Sequence, residues 1–126
     1  MRHTARPTVR LTASFAANLD TIEEFLAQQD EARTFRKLVT HLFDELIPNL
    51  EAFPHMGRDF LNQPIRSVAA RTKLRKLKAA MGKNTELREY IAEDYLILYA
   101  LRATRIYLLA IRHHRQLSFD LMSHWA

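Results

Sequence analysis

The chain has 126 residues, no cysteine and a net charge of +5, from 19 Lys and Arg against 14 Asp and Glu. The absence of cysteine excludes disulfide scaffolds, cysteine zinc sites and thiol nucleophiles. The length suits a single domain, residues 1–126, which can bury roughly two-thirds of its unfolded surface without a metal or a disulfide. The basic surplus favours a polyanion or an acidic protein as partner, although a solvated basic surface is the simpler alternative.

Neither the amino terminus nor the longest apolar stretch is typical of a secreted or membrane protein. Residues 1–7 lack the apolar core of a signal peptide. The apolar stretch 95–111 is interrupted by Arg102, Thr104 and Arg105, so it is too broken to span a membrane. We therefore expect a cytoplasmic protein with no membrane partner.

The first segment of the chain predicts a strand followed by an amphipathic helix. Residues 9–12 are short and β-leaning, and Pro7 precedes them. Either Thr12 or Ser14 can cap the N-terminus of the following helix. We expect this helix over residues 14–28, because apolar residues recur there at three- and four-residue steps.

A second helix is expected to begin at Asp30, whose side chain would cap it. Its apolar stripe continues to residue 47, and Pro48 should stop or kink it because proline cannot donate to the helical ladder. Two helices with one-sided apolar stripes and a short connection indicate an antiparallel hairpin that packs on a flat layer.

The middle of the chain is rich in turn residues and then strongly basic. Pro54 and Gly57 mark a turn that ends in Arg58. Residues 64–85 carry Lys and Arg without a single acid. A short basic helix that ends at Gly82 and a loop are both compatible with this segment.

The carboxy-terminal third predicts two buried strands. Both alternating faces of residues 95–101 are apolar, and residues 104–111 repeat the pattern. One buried helix is the alternative, but the aromatic and β-branched residues and the polar break favour a hairpin. The second strand runs into a cluster of cations and imidazoles, Arg112, His113, His114 and Arg115.

These elements together predict an α+β fold in the order β-α-α-β-β-β. An antiparallel sheet of three to four strands would pack against the helix hairpin, with a basic loop or short helix before the second strand. The cluster at residues 112–115 would then lie at the end of the last strand.

Several passages occur in an order that is typical of one group of proteins. They are the strand at 9–12, the helical stripes, the turn Leu50-x-x-x-Pro54-x-x-Gly57-Arg58, the segment Leu87-Arg88-Glu89-Tyr90 with Tyr95-x-Ile97-Leu98-Tyr99, and the last strand with His113-His114-Arg115. In this order they resemble the RelE/ParE superfamily, the toxins of bacterial type II toxin-antitoxin systems.

The resemblance implies a toxin that inhibits growth, contributes to plasmid stabilisation and is neutralised by a cognate antitoxin, whose disordered, acidic segment folds on binding. We favour the ParE branch, in which the target is DNA gyrase and no catalysis is implied. The alternative is the RelE branch, an endoribonuclease that cleaves ribosome-bound mRNA without a metal and blocks translation. A basic α+β domain without toxicity is a third interpretation.

In the nuclease alternative, the resemblance places Arg88 on the sheet, where it would clamp the scissile phosphate. Arg115 would stabilise the developing charge, and His114 would act as general acid or base. We prefer His114 to His113 because adjacent strand residues point to opposite faces, and His114 directly precedes Arg115. The tyrosine that often follows the last strand in this branch is matched by Phe119, which cannot transfer a proton and so favours the ParE branch slightly.

A binding surface for target or antitoxin is expected at the basic residues Arg58, Lys73, Arg75, Lys76, Lys78, Arg112 and His113. Simpler roles are also open: Arg88 can pair with Glu86 or Glu89, and Arg58 can order its own turn. The remaining histidines share no ligand spacing, so we expect no metal. With two glycines and no phosphate-binding loop, we expect no nucleotide cofactor.

Overall fold

The computed structural model describes residues 7–59, 75–76, 79–80, 82 and 84–113. The helices of this part are α1 (Ala13–Gln28), α2 (Ala32–His41) and α3 (Ile47–Ala52), with one π-helical turn at Leu42–Leu46 between the last two. The strands are β1 (Thr8–Leu11), β2 (Arg58–Asp59), β3 (Thr85–Ala92), β4 (Tyr95–Arg102) and β5 (Arg105–His113).

The described strands form one sheet in the order β1-β5-β4-β3-β2. The predicted α+β fold and its helix hairpin are confirmed, but the sheet differs from the prediction in two details. It has five strands in the described part, because Arg58 and Asp59, directly after the turn that ends at Gly57, form β2. A strand of two residues is too short to leave a periodic pattern in the sequence. It is also mixed rather than purely antiparallel, because β1 runs parallel to β5.

The carboxy-terminal third is the predicted hairpin and not a buried helix. β4 and β5 pair from Tyr95 opposite His113 to Arg102 opposite Arg105. A register shift opposite Leu98 and Tyr99 changes the alternation of β5. As a result Leu108 and Ile111, three positions apart, both lie in the core that faces the helices.

The main core lies between the helices and one face of the sheet. Its fully buried members include Phe15, Leu42, Leu46, Leu50, Ile97, Tyr99, Ile106 and Leu108. Each large apolar side chain contributes about 1.5–3 kcal/mol on burial. The opposite face of β3 and β4 is buried too, at Thr85, Leu87, Glu89, Leu98 and Ala100, as expected for central strands that are apolar on both sides.

Thr12 caps α1, as one of the two alternatives predicted. Its Oγ1 accepts a hydrogen bond from the Phe15 N–H at 3.2 Å and donates to the Leu108 carbonyl at 2.8 Å. The same hydroxyl therefore satisfies a free helix N–H and ties α1 to β5.

The prediction that Asp30 caps the second helix is wrong, because Asp30 ends the first. Its φ is 60°, in the left-handed region. The Asp30 N–H bonds to the Ala27 carbonyl at 3.1 Å, and the Glu31 N–H bonds to the Leu26 carbonyl at 2.7 Å. This pair of bonds is a Schellman motif, which closes the C-terminus of α1. The N-cap of α2 is Glu31, whose side chain makes no capping bond.

Pro48 does not stop the helical chain, which continues to Ala52. The regular α-helix ends earlier, at His41, and the π-helical turn follows, where the Ile47 N–H bonds to the Leu42 carbonyl. Pro48 then lies in the first turn of α3, which directly continues the π-helical turn. The wider π-helical turn accommodates the proline, which has no N–H to donate, and the chain stays helical.

The basic segment before β3 is described only in part. Residues 75–76 and 79–80 are helical, in agreement with the short basic helix that was one of two expectations. Lys73 and Lys78 lie outside the described residues. Across the described part of the chain, no helix is both long and apolar enough to cross a lipid bilayer.

We predict that Asp30→Gly stabilises the protein by about 0.5–1 kcal/mol, because glycine adopts the left-handed conformation without a Cβ penalty. Urea unfolding measures the change. Asp20→Gly in the exposed interior of α1 is the matched control and should lower stability. A loss of stability in Asp30→Gly would contradict the assignment.

Candidate functional site

The turn between α3 and β2 is held by a buried tyrosine from the centre of the sheet. The Tyr99 hydroxyl donates to the Pro54 carbonyl at 2.8 Å and accepts from the Gly57 N–H at 2.9 Å. Tyr99 is 0% exposed, and its burial raises the pKa of the hydroxyl, while the Gly57 N–H and the nearby Arg88 partly oppose this. The hydroxyl therefore stays neutral at physiological pH, as its donor role requires.

Glycine is the only residue type that fits at position 57, between the Tyr99 side chain and β3. An added Cβ would lie 2.6 Å from the Glu89 carbonyl oxygen and 2.7 Å from the Tyr99 hydroxyl. Neither atom can move without breaking the turn or the sheet. The glycine of the Pro-x-x-Gly-Arg passage is therefore explained by close backbone approach.

Arg88 lies on the helix-facing side of β3, opposite Tyr99. Its Nε donates to the Gly57 carbonyl at 2.7 Å and its Nη2 to the His55 carbonyl at 3.2 Å. Its Nη1 pairs with Glu86 at 3.0 Å, the simpler role foreseen from the sequence. The side chain is 16% exposed, so most of its surface already contacts the protein. These bonds give Arg88 a role in ordering the turn.

Arg58 also orders this region, through an ion pair with Glu89. The pair joins β2 to β3 directly, since the two residues are register partners. Glu89 is nearly buried, whereas the Arg58 side chain is 55% exposed. Arg58 thus neutralises a buried carboxylate and still presents part of its guanidinium to solvent.

A groove of about 470 Å³ lies between the α1–α2 connection and the β3–β4 turn; we call it the hairpin groove. Its apolar lining is Phe25, Leu26, Leu38, Ala92 and Tyr95, and its polar lining is Gln29, Glu31, Thr34, Lys37, His41, Glu93, Asp94 and His113. Of these lining residues, only His113 was predicted from the sequence as a site residue. The sequence gives no signal for the groove at Phe25, which belongs to the apolar stripe of α1 and yet is 42% exposed in the structure.

The hairpin groove has a negative rim. Burial raises the pKa of the Tyr95 hydroxyl, and the carboxylates of Asp94, Glu31 and Glu93 raise it further. The ring of His113 contacts that of Tyr95 edge-on, with centroids 5.1 Å apart. The groove is therefore suited to a partner that presents an apolar side chain next to a cation.

The predicted site residues do not converge in the described part of the structure. Arg88 and His113 share the helix-facing side of the sheet, but β4 separates them, and their β4 partners are four positions apart. This corresponds to about 13 Å along the strands and about 10 Å across them. Arg112 points to the opposite face, because it pairs with Leu96.

The other predicted residues are exposed or outside the described part. Arg75 and Lys76 are exposed on helical residues. His114, Arg115 and Phe119 lie outside the described residues. Within the described ranges, no cluster of His, Asp and Glu side chains could hold a metal ion.

Comparison with known proteins decides the family. The family model "ParE toxin of type II toxin-antitoxin system, parDE" matches residues 9–118. The chain belongs to this family. The ParE family match contains every described element of the sheet except the first residue of β1.

A solved toxin-antitoxin structure has a chain with the same fold. A chain of the chromosomal ParDE toxin-antitoxin system from P. aeruginosa superposes with a TM-score of 0.57 at 15% identity, covering 87% of this chain and 98% of that one. A chain of the RelBE2 toxin-antitoxin complex from Mycobacterium tuberculosis gives a TM-score of 0.43 at 18% identity, with 86% and 98% covered. At these identities the first shows the fold, and the second carries no further argument. No curated protein sequence matches significantly.

For this ParE-family toxin we predict that Tyr99→Phe destabilises the fold by about 1–3 kcal/mol, because the buried Gly57 N–H and the Pro54 carbonyl each lose a partner. Chemical denaturation measures the loss. Tyr90→Phe, a half-buried position on β3 whose hydroxyl has no described partner, is the control and should change stability by less than about 0.5 kcal/mol. Equal effects of the two variants would refute the role of the Tyr99 hydroxyl.

The raised pKa of Tyr99 also predicts a loss of stability at alkaline pH. The folded state binds the phenolic proton more tightly than the unfolded chain, so this contribution is complete below pH of about 10 and is lost as pH rises through the folded pKa. Urea unfolding between about pH 8 and 11 should show falling stability above about pH 10, with a shallower decline in Tyr99→Phe. Identical declines would contradict the linkage.

Proposed function

We propose that this ParE-family toxin acts in the cytoplasm as an inhibitor of DNA gyrase, by binding and without catalysis. The observation that supports it most is the use of Arg88, the residue expected to clamp a scissile phosphate. Its guanidinium is bonded to Gly57, His55 and Glu86, on the side of the sheet that faces the helices. The family match, which is to ParE toxins, supports the same target.

A ribosome-dependent endoribonuclease is the second candidate. One feature favours it: β5 runs into Arg112-His113-His114-Arg115, where a histidine next to an arginine supplies a proton-transfer group beside a positive charge. In this proposal His114 and Arg115 act on the RNA, and Arg88 positions the phosphate or the turn beside it.

Expression of the toxin in cells separates the two candidates. Gyrase inhibition predicts intact mRNA, an induced DNA-damage response and filamentous cells. Mapping of RNA 5′ ends after induction, with a DNA-damage reporter in the same culture, measures both outcomes. Codon-linked cuts in mRNA without the damage response would overturn the gyrase proposal and support the nuclease.

The nuclease candidate has its own test in the double variant His114→Ala with Arg115→Ala. If these side chains carry the chemistry, RNA cleavage disappears while antitoxin binding stays largely intact, because every described residue that lines the hairpin groove is unchanged. A double variant that still cuts mRNA would remove this site assignment.

We further propose that the cognate antitoxin is held in the hairpin groove. The groove joins exposed apolar surface at Phe25 to acidic groups at Glu93 and Asp94, at the tip of the β3–β4 turn. The outer edge of β1 is less available, since the Glu51 carboxylate accepts from the Val9 N–H at 3.1 Å. The acidic segment expected in the antitoxin would then contact the basic residues outside the groove.

The variant Phe25→Ser tests whether the hairpin groove binds the antitoxin, because the Phe25 side chain is exposed enough for the fold to tolerate the change. We predict that Phe25→Ser weakens binding of the antitoxin, the product of the neighbouring reading frame, at least about tenfold in calorimetry, through loss of a buried aromatic anchor. The matched control is Phe43→Ser on the π-helical turn, at 47% exposure and outside the groove. Unchanged affinity in Phe25→Ser, or equal losses in both, would exclude the groove.

A further inference from the structure

One corner of the sheet carries three arginines around a tyrosine. Arg102 and Arg105 are direct cross-strand partners beside the β4–β5 turn, and Arg10 of β1 is the register partner of Tyr107. All three arginines are exposed and Tyr107 is half-buried. We call this set the arginine corner.

The four side chains point to the same face, away from the helices. Tyr107 pairs with Arg10 on one side and with Ala100 on the other. The alternate residues Val9 and Ile106 lie on the helix side, Ile106 in the core and Val9 packed against it. Side chains of register partners share a face, so the three guanidinium groups lie on one continuous surface.

The charge of the arginine corner is not neutralised within the described part of the chain. None of Arg10, Arg102 and Arg105 forms an ion pair or a side-chain hydrogen bond with a residue that the structure describes. Arg102 and Arg105 face each other directly, and like charges in this relation oppose strand pairing. The sheet thus fixes three uncompensated cations in place, an arrangement that an external polyanion would relieve.

We propose that the arginine corner binds the phosphate backbone of duplex DNA. The strand spacing places the three Cα atoms within roughly 12 Å. This length matches about three successive phosphates of one strand, and the planar guanidinium fork suits phosphate oxygens. Single-stranded RNA is the poorer fit, because it is held by stacking on exposed aromatic rings and the corner offers only the half-buried Tyr107.

The DNA-binding surface is distinct from the hairpin groove, and this proposal does not depend on which target the toxin inhibits. The arginine corner lies beside the β4–β5 turn, whereas the groove lies beside the β3–β4 turn, so the two surfaces are at opposite ends of β4. The contacts are to backbone phosphates, and the proposal therefore includes no preference for a base sequence.

The test measures binding of the full-length chain to a fluorescent 20-base-pair DNA duplex of arbitrary sequence, by anisotropy over a salt series. The triple variant Arg10→Gln, Arg102→Gln and Arg105→Gln should bind at least about tenfold more weakly at about 50 mM salt, and the slope of log K against log salt should fall by about 3. The matched control removes the same three units of charge from α2, outside the hairpin groove, with Arg33→Gln and Arg36→Glu. Circular dichroism confirms that both variants are folded.

The control should lose less than about threefold in affinity and keep its salt slope. A control that loses as much as the corner variant would show a general charge effect and overturn the proposal. Tighter binding of a single-stranded RNA of the same length, or of polyglutamate, would overturn the choice of DNA. A corner variant with unchanged affinity would remove the surface itself.

Discussion

The structure depends on one buried hydroxyl at the centre of the sheet. Tyr99 bonds to both sides of the turn after α3, and this fixes where the helical layer meets β2 and β3. Gly57 can approach only because it lacks a side chain, and its carbonyl then receives the Arg88 guanidinium. The short β2 follows in register, so that Arg58 can neutralise the nearly buried Glu89. Each of these polar groups has its partner inside the fold.

The polar side chains that hold the fold together are different from those that are available to bind a partner. Arg88, Tyr99 and Glu89 are bonded within the protein, whereas two distant surfaces carry exposed groups that are suited to binding. The hairpin groove carries acids and an exposed phenylalanine beside the β3–β4 turn. The arginine corner lies at the other end of β4, on the opposite face. A molecule with an acidic groove and a basic corner is suited to two different partners, one at each end.

The sequence predicted the parts of the fold whose signal is local. The β4–β5 hairpin follows from apolar residues on both faces, and Thr12 follows from its position before a helical stripe. Asp30 was misassigned, since a Schellman motif depends on backbone conformation and an aspartate is equally typical of an N-cap. The π-helical turn before Pro48 was not predicted, because it leaves no signature in apolar spacing.

The site was less predictable, because its contacts join residues far apart in the chain. Arg88 reaches Gly57, 31 residues away, and the hairpin groove exists only where α1 and α2 approach the β3–β4 turn. The resemblance assigned Arg88 to a nuclease site, and Arg58 was assigned to a binding surface, with pairing and turn ordering as their simpler roles. The bonds of both side chains within the fold match those simpler roles. The arginine corner could not be predicted from the sequence, because its arginines are single residues on three strands and form no run of charge.

The most direct test of a toxin that acts by binding uses purified components. Full-length toxin is incubated with gyrase, ATP and relaxed plasmid, and in parallel with translating ribosomes, and the products are resolved on gels. Gyrase inhibition by binding predicts that supercoiling stops at toxin concentrations comparable to gyrase while the mRNA stays intact. Unaffected supercoiling together with cleaved mRNA would contradict it.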